Sequence, residues 1–286
     1  MDVPVGPNNV VTGDANKDGV SDAIVVGTTG ARFFAGSAKG LGAPTQLPWF
    51  GSKMTPAWYD GCLALADING DGKQDLVITA SPGSSNFTFL PYVFIGKGDG
   101  TFLSPTKLSD TELNVFGVAD LNGDGRADLF GSSDTGTGVW LTNADGTLSS
   151  AFHSKVSFSG TPVALDVDGD SIVDLASSLL VMYGKGDGSY EAVNYHDLPR
   201  PDTEHFGPGP VADVNHDGLP DFLIVDAFVD SMLQSVRVFL NLGGRKFSPE
   251  YRFRMNRMSP GLDQIPPVGL VDINNDGALD LVTRSD

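Results

Sequence analysis

A nine-residue pattern of acidic and amide side chains, D-x-[ND]-x-D-[GS]-x-x-D, occurs six times in the chain and has the chemistry of a cation-binding loop. Oxygens at positions 1, 3, 5 and 9, together with the backbone carbonyl of position 7, can converge on one ion as the loop wraps around it. Oxygen donors without histidine or thiolate suit calcium better than zinc or copper. One copy alone also fits an Asn/Asp/Gly turn between strands. Six copies in register predict calcium loops.

The predicted metal ligands are the residues at positions 1, 3, 5, 7 and 9 of each loop, and position 7 contributes its backbone carbonyl. They are Asp14, Asn16, Asp18, Val20 and Asp22; Asp67, Asn69, Asp71, Lys73 and Asp75; Asp120, Asn122, Asp124, Arg126 and Asp128; Asp166, Asp168, Asp170, Ile172 and Asp174; Asp213, Asn215, Asp217, Leu219 and Asp221; and Asp272, Asn274, Asp276, Ala278 and Asp280. We expect about six Ca²⁺ per chain.

The fourth loop departs from the pattern at two positions. Ser171 replaces the position-6 glycine, where Gly125 of the third loop supplies a positive φ. Asp168 stands at position 3, where the other loops have Asn. The serine costs roughly 1 kcal/mol in backbone strain, whereas the extra carboxylate strengthens the attraction for a cation. The sequence alone leaves open which effect is larger.

The elements around the loops are short strands. The loops lie 46 to 59 residues apart, a period that indicates a repeat architecture. No helix-forming pattern flanks them and the position-12 Glu is missing, so they are not EF-hands. Each of the first five repeats contains an apolar run before the loop, one after it, a third that runs into a turn such as Asp-Gly, and a fourth beyond that turn, as in Thr101–Pro105 and Lys246–Pro249. Four short strands per repeat predict an all-β fold, a β-propeller of four-stranded antiparallel blades.

The chain resembles the FG-GAP/VCBS-repeat family of integrin α-like calcium-binding β-propellers and is similar to integrin-like mushroom lectins. The six Asp loops, the Phe-Gly pairs at Phe116-Gly117 and Phe206-Gly207, and the turn from Gly98 to Phe102 carry the resemblance. It covers the chain from about Val10 to Thr283. It implies a calcium-binding propeller, and the family's members include adhesion receptors, lectins and ancillary domains of polysaccharide-degrading enzymes. Fold alone does not decide among them.

We expect one propeller domain spanning residues 1–286, with six repeats. The sixth repeat stops after its second strand, and Asp2–Val5 could supply one more strand. The alternative is a fragment of a seven-bladed propeller. The N-terminus lacks the basic and apolar regions of a signal peptide, so we expect a mature chain or a piece of a longer protein.

Composition agrees with an extracellular calcium protein. Three aspartates in each of six loops, together with Asp168, account for 19 of the 36 acidic residues, so much of the net charge of −18 belongs to metal sites. So negative a surface argues against nucleic acid as a partner. No apolar run approaches a membrane span. The single cysteine, Cys62, excludes an internal disulfide and is predicted to be a buried strand residue. Since free calcium is millimolar outside cells, we expect a secreted or cell-surface location.

The propeller topology predicts a binding face. In an antiparallel blade the 1–2 and 3–4 connections lie at one end of the strands, and the 2–3 and 4–1 connections at the other. Calcium loops and Asp-Gly turns therefore share one face, and the irregular segments share the opposite, variable face, where binding residues are expected. The predicted ligand contacts there are Trp49, Trp58, Tyr59, Arg200 and His205. The alternative is that the aromatic side chains of Trp49, Phe50, Trp58 and Tyr59 fill the gap between blades one and two. Trp140, in the middle of a strand, is predicted to lie in the core.

The function expected from these features is binding of a glycan or protein ligand through the variable face. The four histidines have no metal-binding spacing, and no nucleophile elbow or phosphate-binding loop is present. The sequence therefore predicts no catalytic residue and favours a binding module over an enzyme. The alternatives are a polysaccharide lyase using His205 or Tyr59 with Arg200, an ancillary domain of a polysaccharide-degrading enzyme, and a structural spacer or adhesion repeat.

Overall fold

The computed structural model describes most of the chain and forms two compact units. The described residues are 10–27, 30–50, 55–56, 62–81, 89–133, 136–156, 158, 162–177, 180–191, 206–228, 233–249, 251–254 and 268–283. One unit consists of Met1–Ser157 with Asp187–Ser189, and the other of Phe158–Gly186 with Tyr190–Asp286. Within the described residues all regular structure is β-strand, and every strand pairing is antiparallel.

The first unit contains three blade-like sheets. Blade one consists of β1 (Val10–Gly13), β2 (Asp22–Gly27), β3 (Gly30–Phe34) and β4 (Thr45–Gln46). Blade two consists of β5 (Thr55–Pro56), β6 (Leu63–Ala66), β7 (Asp75–Ser81), β8 (Leu90–Phe94) and β9 (Thr106–Lys107), where β5 and β6 pair with successive parts of β7. Blade three consists of β10 (Asn114–Ala119), β11 (Asp128–Ser133), β12 (Gly136–Thr142) and β13 (Leu148–Ser154).

The second unit contains the remaining sheets. Blade four has β14 (Val163–Leu165), β15 (Asp174–Ser177) and β16 (Leu180–Met182). Blade five has β17 (Phe206–Ala212), β18 (Asp221–Phe228), β19 (Leu233–Phe239) and β20 (Tyr251–Arg254). Blade six has β21 (Val268–Val271) and β22 (Asp280–Thr283). The predicted strand at Asp2–Val5 and the end of the chain lie outside the described residues, so the single domain and the closure of the last blade stay predictions.

The strand that follows each of the first four loops is buried along most of its length. Every residue of β7 is buried, as is every residue of β15. This explains why their sequences are continuous apolar runs rather than alternating ones, since both faces of the strand are covered. In blade three, Leu129 and Trp140 pack in the same core cluster, and Trp140 is only 7% exposed. The prediction that Trp140 is a core residue is confirmed.

The Phe-Gly pair of blade three has a steric cause. Gly117 lies on β10 just after Phe116, where the register with β11 shifts by one residue. A Cβ at Gly117 would come within 2.5 Å of the Phe130 ring. The glycine therefore leaves room for the Phe130 ring beside β10.

The outer strands of two blades were predicted at the wrong place. Thr101–Pro105 forms only a single bridge, from Phe102 to Gly96, and the strand that follows is Thr106–Lys107. Blade five behaves alike: Phe247 bridges to Asn241, and the strand comes later, at Tyr251–Arg254. The reason is the Ser-Pro pair at the end of each predicted run, because proline has no N–H to donate to a strand ladder.

Candidate calcium centre

All thirty predicted calcium ligands lie in described residues, and every loop joins the first and second strands of its blade. The loops connect β1 to β2, β6 to β7, β10 to β11, β14 to β15, β17 to β18 and β21 to β22. In each sheet the loop lies between the end of one strand and the start of its antiparallel neighbour, at the same end of the sheet. The antiparallel pairing therefore holds position 9, the first residue of the second strand, directly beside the start of the loop.

The backbone of each loop turns sharply at two positions. Position 6 has a positive φ in all six loops, including Ser171 at 69°. Position 4 also has a positive φ throughout, which the sequence analysis missed because Lys17, His216 and Asn275 at this position are not glycines. Asn tolerates this region well, whereas other side chains pay about 1 kcal/mol or more. The two left-handed residues fold the backbone around the centre of the loop.

The third loop shows how the ligand side chains are held. Asp120 accepts hydrogen bonds from the N–H groups of Gly123, Asp124 and Gly125 at 2.7–3.1 Å. Asn122 Oδ1 accepts from the Asp124 N–H at 3.0 Å, and Asp124 Oδ1 accepts from the Arg126 N–H at 2.9 Å. These bonds fix the rotamers of positions 1, 3 and 5 from the loop's own backbone.

The position-9 carboxylate is buried and joins three strands. Asp128 is fully buried, and its two oxygens accept from the N–H of Leu121 at 3.0 Å and of Thr142 at 2.8 Å. Leu121 begins the loop and Thr142 ends β12, so this one side chain links the calcium loop to the turn after the third strand. The same pair of bonds recurs at Asp22, Asp75, Asp174 and Asp221. Within these blades the loop and the 3–4 turn thus lie at the same end.

Burial makes the ionised form of these carboxylates unfavourable when no cation lies nearby. Desolvation raises the pKa of Asp128 and of Asp174 to about 6, although the backbone N–H donors act in the opposite direction. The pKa values of Asp75 and Asp221 are raised for the same reason. A buried anion without a cationic partner is costly. A divalent cation beside each of these side chains would remove much of that cost, so the donor set fits calcium.

The charges around the loops differ from blade to blade. Lys73, at position 7 of the second loop, pairs with Asp71 at 2.9 Å, and Arg126 pairs with Asp124 in the third loop. Both ion pairs are partly exposed, so each contributes little to stability. In the fourth loop, Asp166, Asp168 and Asp174 each offer a carboxylate oxygen, and these oxygens lie within 4.8 Å of one another. Three oxygens that close can share one cation.

The predicted ligand-binding residues are described only in part. Trp49 is half-buried; its ring lies 5.2 Å from Phe50 in an edge contact and 6.1 Å from Phe94 in a stacked one. Phe50 also contacts Tyr92, at 4.7 Å. Trp49 thus packs on the cluster shared by blades one and two, and its role as a ligand contact stays a prediction. Trp58, Tyr59, Arg200 and His205 lie outside the described residues.

Arg245 contacts the candidate calcium centre, and the sequence did not predict this contact. It comes from the 3–4 turn of blade five, and its Nε donates to Asp168 Oδ2 of the fourth loop at 2.8 Å. The sequence analysis found no signal for this pair, because its members are 77 residues apart. The only hint was the position-3 aspartate itself, an extra charge that needs a partner.

Comparison with known proteins agrees with this geometry. The FG-GAP-like repeat family matches residues 14–78, 67–130, 120–177 and 213–283, which include all six loops. The chain therefore belongs to the FG-GAP-like repeat family, and its fold class is a β-propeller of four-stranded antiparallel blades, as predicted. No curated protein sequence matches the chain. No helix in the described part of the chain is long and apolar enough to cross a membrane.

Two solved structures share the fold at low sequence identity. A lectin of Agrocybe aegerita, described as specifically recognising non-reducing terminal N-acetylglucosamine, is 20% identical with a TM-score of 0.61, over 87% of this chain and 66% of the lectin chain. The Tc holotoxin pore of Photorhabdus luminescens is 17% identical with a TM-score of 0.51, over 99% of this chain and 14% of that chain. This chain thus spans just under two thirds of the lectin and a small part of the toxin.

Proposed function

We propose that this protein is an extracellular binding module for glycans whose β-propeller blades are stabilised by about six calcium ions. The observation that carries the proposal is the repeated loop, which places three or four carboxylates in each blade and buries one of them in most blades. In the fourth loop three carboxylate oxygens lie within 4.8 Å of one another. The fold-level similarity to an N-acetylglucosamine-binding lectin supports the choice of glycan over other ligands. In this proposal calcium acts on the scaffold and does not contact the ligand.

The proposed calcium ligands are the oxygens of positions 1, 3, 5 and 9 and the position-7 carbonyl. Calcium would supply the positive charge that the clustered carboxylates lack. Positions 1, 3 and 5 already have their side chains held by backbone N–H groups, so little ordering remains when the ion binds. Position 9 then transmits the effect to the sheet, because its oxygens bond both to the loop and to the third strand.

The expected calcium affinity points to an extracellular setting. Extracellular calcium modules bind with dissociation constants of roughly 10⁻⁴ to 10⁻³ M. At about 1 mM Ca²⁺ each such site would add roughly 0.5–1.5 kcal/mol to the free energy of unfolding. Six sites together are comparable to the roughly 5–15 kcal/mol stability of a typical domain. At the calcium concentration outside cells the module would then be stably folded, whereas without calcium its stability would be marginal.

The proposed ligand surface is the variable face, at the opposite end of the strands from the calcium loops. The calcium face is built from loops of uniform length whose side chains serve the metal. The opposite connections differ in length and contain Trp49, Trp58, Tyr59, Arg200 and His205. Aromatic faces stack well on the C–H faces of sugars, and arginine and histidine donate hydrogen bonds to hydroxyl or carboxylate groups. Trp58 is the first residue to test.

A glycan array tests this function directly. The protein is applied in 2 mM CaCl₂ and in excess EDTA, alongside Trp58→Ala and a control, Tyr251→Ala. Tyr251 is a matched control because it is an aromatic residue 53% exposed on the outer strand of blade five. We expect one glycan class to bind wild type and Tyr251→Ala in calcium, with Trp58→Ala much weaker. Absence of any glycan binding by calcium-loaded wild type would refute the glycan proposal.

A further inference from the structure

The fourth loop lacks a hydrogen bond that other loops use to hold position 5. In loops one, three, five and six, the Asn at position 3 donates from Nδ2 to Oδ2 of the position-5 aspartate at 2.9–3.1 Å. Asp168 has no N–H at that place and presents a carboxylate oxygen instead. Its other oxygen still accepts from the Asp170 N–H, at a longer 3.3 Å. The aspartate therefore replaces an attraction between positions 3 and 5 with a repulsion.

Arg245 meets the oxygen that replaces the amide. Its Nε donates to Asp168 Oδ2 at 2.8 Å, and its Nη1 donates to Glu191 Oε2 at 2.6 Å. The guanidinium also lies over the Tyr183 ring, 3.9 Å from its centroid. The Asp168 side chain is 9% exposed and the Arg245 side chain 37% exposed, so the pair is shielded from water on the aspartate side only.

The backbone of Arg245 has a strained, positive φ, and the residue keeps its contact with Asp168 despite that cost. In blades two and four the equivalent turn position, four residues after the first bridge partner, is Gly100 and Gly188. Both glycines have φ near 79°, and Arg245 has φ 64°. A non-glycine residue there costs roughly 1 kcal/mol or more. The three contacts of the guanidinium offset this cost.

The fourth loop and the turn of blade five each differ from other repeats by one added charge, negative at Asp168 and positive at Arg245. A loop with Asn at position 3 has three carboxylates, whereas the fourth loop has four: Asp166, Asp168, Asp170 and Asp174. Arg245 adds one positive charge beside these four carboxylates, and it also pairs with Glu191. The Asn-to-Asp and Gly-to-Arg differences are thus chemically complementary, although one lies in blade four and the other in blade five.

We propose that Arg245 is an affinity-setting residue of the fourth calcium site: it pairs with Asp168, weakens calcium binding relative to a free four-carboxylate loop, and holds the loop against blade five when calcium is absent. This inference rests on the proposed calcium function for its affinity part. Its metal-free part rests on the ion pair alone. The fourth loop is therefore the site whose order depends least on calcium.

A double-mutant cycle tests the pair, using Arg245→Gly, Asp168→Asn and the double variant, which recreates the residues found in other repeats. Removing Arg245 takes away a positive charge that directly contacts the Asp168 ligand, so we expect fourth-site calcium affinity to rise by about tenfold. Asp168→Asn removes a carboxylate and should weaken that site by about tenfold. The double variant should return to within about threefold of wild type. Lys246→Ala, a neighbouring exposed cation, is the charge-matched control and should leave the site unchanged.

Two measurements distinguish the effect of Arg245 on calcium affinity from its effect on the stability of the metal-free protein. Calcium titration by calorimetry, with Asp166→Ala marking the contribution of the fourth site, gives the affinities. Thermal unfolding in excess EDTA gives the metal-free stability, where Arg245→Gly should lower the melting temperature and the double variant should recover part of the loss. Equal fourth-site affinity in wild type and Arg245→Gly, or additive changes in the metal-free melting temperature across the cycle, would overturn the inference. If wild type binds no calcium at any loop, the calcium function fails, and the EDTA cycle alone then decides whether the pair holds the loop.

Discussion

Two aspartates of the third loop should differ in how much their replacement destabilises the metal-free protein. Asp124→Ala and Asp128→Ala each delete a proposed calcium ligand, but only Asp128 is buried. In excess EDTA, Asp128→Ala loses the bonds from Leu121 at 3.0 Å and Thr142 at 2.8 Å and leaves both N–H groups without this acceptor. Hydrogen bonds to a charged acceptor contribute about 1.5–3 kcal/mol each. Part of this is offset because the desolvated carboxylate is gone.

We therefore expect Asp128→Ala to lower the metal-free free energy of unfolding by about 2–5 kcal/mol. Asp124→Ala should lower it by about 0–1 kcal/mol, since Asp124 is exposed and its ion pair with Arg126 is partly solvated. In calcium both variants should also lose the contribution of the third site, about 0.5–1.5 kcal/mol at 1 mM. Urea unfolding followed by tryptophan fluorescence, in EDTA and in calcium, measures all of these values. If the two variants lowered the metal-free free energy of unfolding equally, the reasoning would be refuted, because Asp128 would then not anchor the loop any more than Asp124 does.

Three further predictions follow from burial. The pKa of Asp128 and of Asp174 is raised to about 6 from an ordinary 3.8, so the folded metal-free protein binds protons more tightly than the unfolded chain. The melting temperature of the protein in EDTA should therefore fall from pH 5 to pH 7.5. A rise in the melting temperature over that range would contradict this. Burial raises the pKa of the Cys62 thiol to about 12, so a thiol reagent should label it only after unfolding, and rapid labelling of native protein would show that the site opens. Trp140→Ala should cost about 3–5 kcal/mol, whereas a loss below 1 kcal/mol in urea unfolding would mean that the core of blade three does not depend on it.

The loop positions and the inner strands could be predicted from sequence because their signals are local, whereas calcium binding by the loops stays a prediction. Carboxylates spaced by two residues with a glycine at position 6 define the loop by themselves, and a continuous apolar run after position 9 defines the buried strand. The positive φ at position 4 could not be predicted, because Lys17 and His216 give no glycine signal there. It follows only from the closure of the whole loop.

The features that escaped prediction depend on long-range contacts. The outer strands at Thr106–Lys107 and Tyr251–Arg254 are set by where the chain returns after a Ser-Pro pair, not by their own apolar content. The pairing of Arg245 with Asp168 joins two blades, and no spacing rule connects residues so far apart in sequence. The packing of Trp49 on Phe94 is likewise decided by the neighbouring blade.

The central claim, that the six loops are calcium sites, is tested most directly by counting the ions. Protein dialysed against calcium buffer and then analysed for bound metal should contain close to six Ca²⁺ per chain, and variants lacking the position-1 aspartate of one loop, such as Asp120→Ala, should each contain one fewer. A content of two or fewer ions in the wild-type protein would contradict the account, since most loops would then be held by their own hydrogen bonds alone.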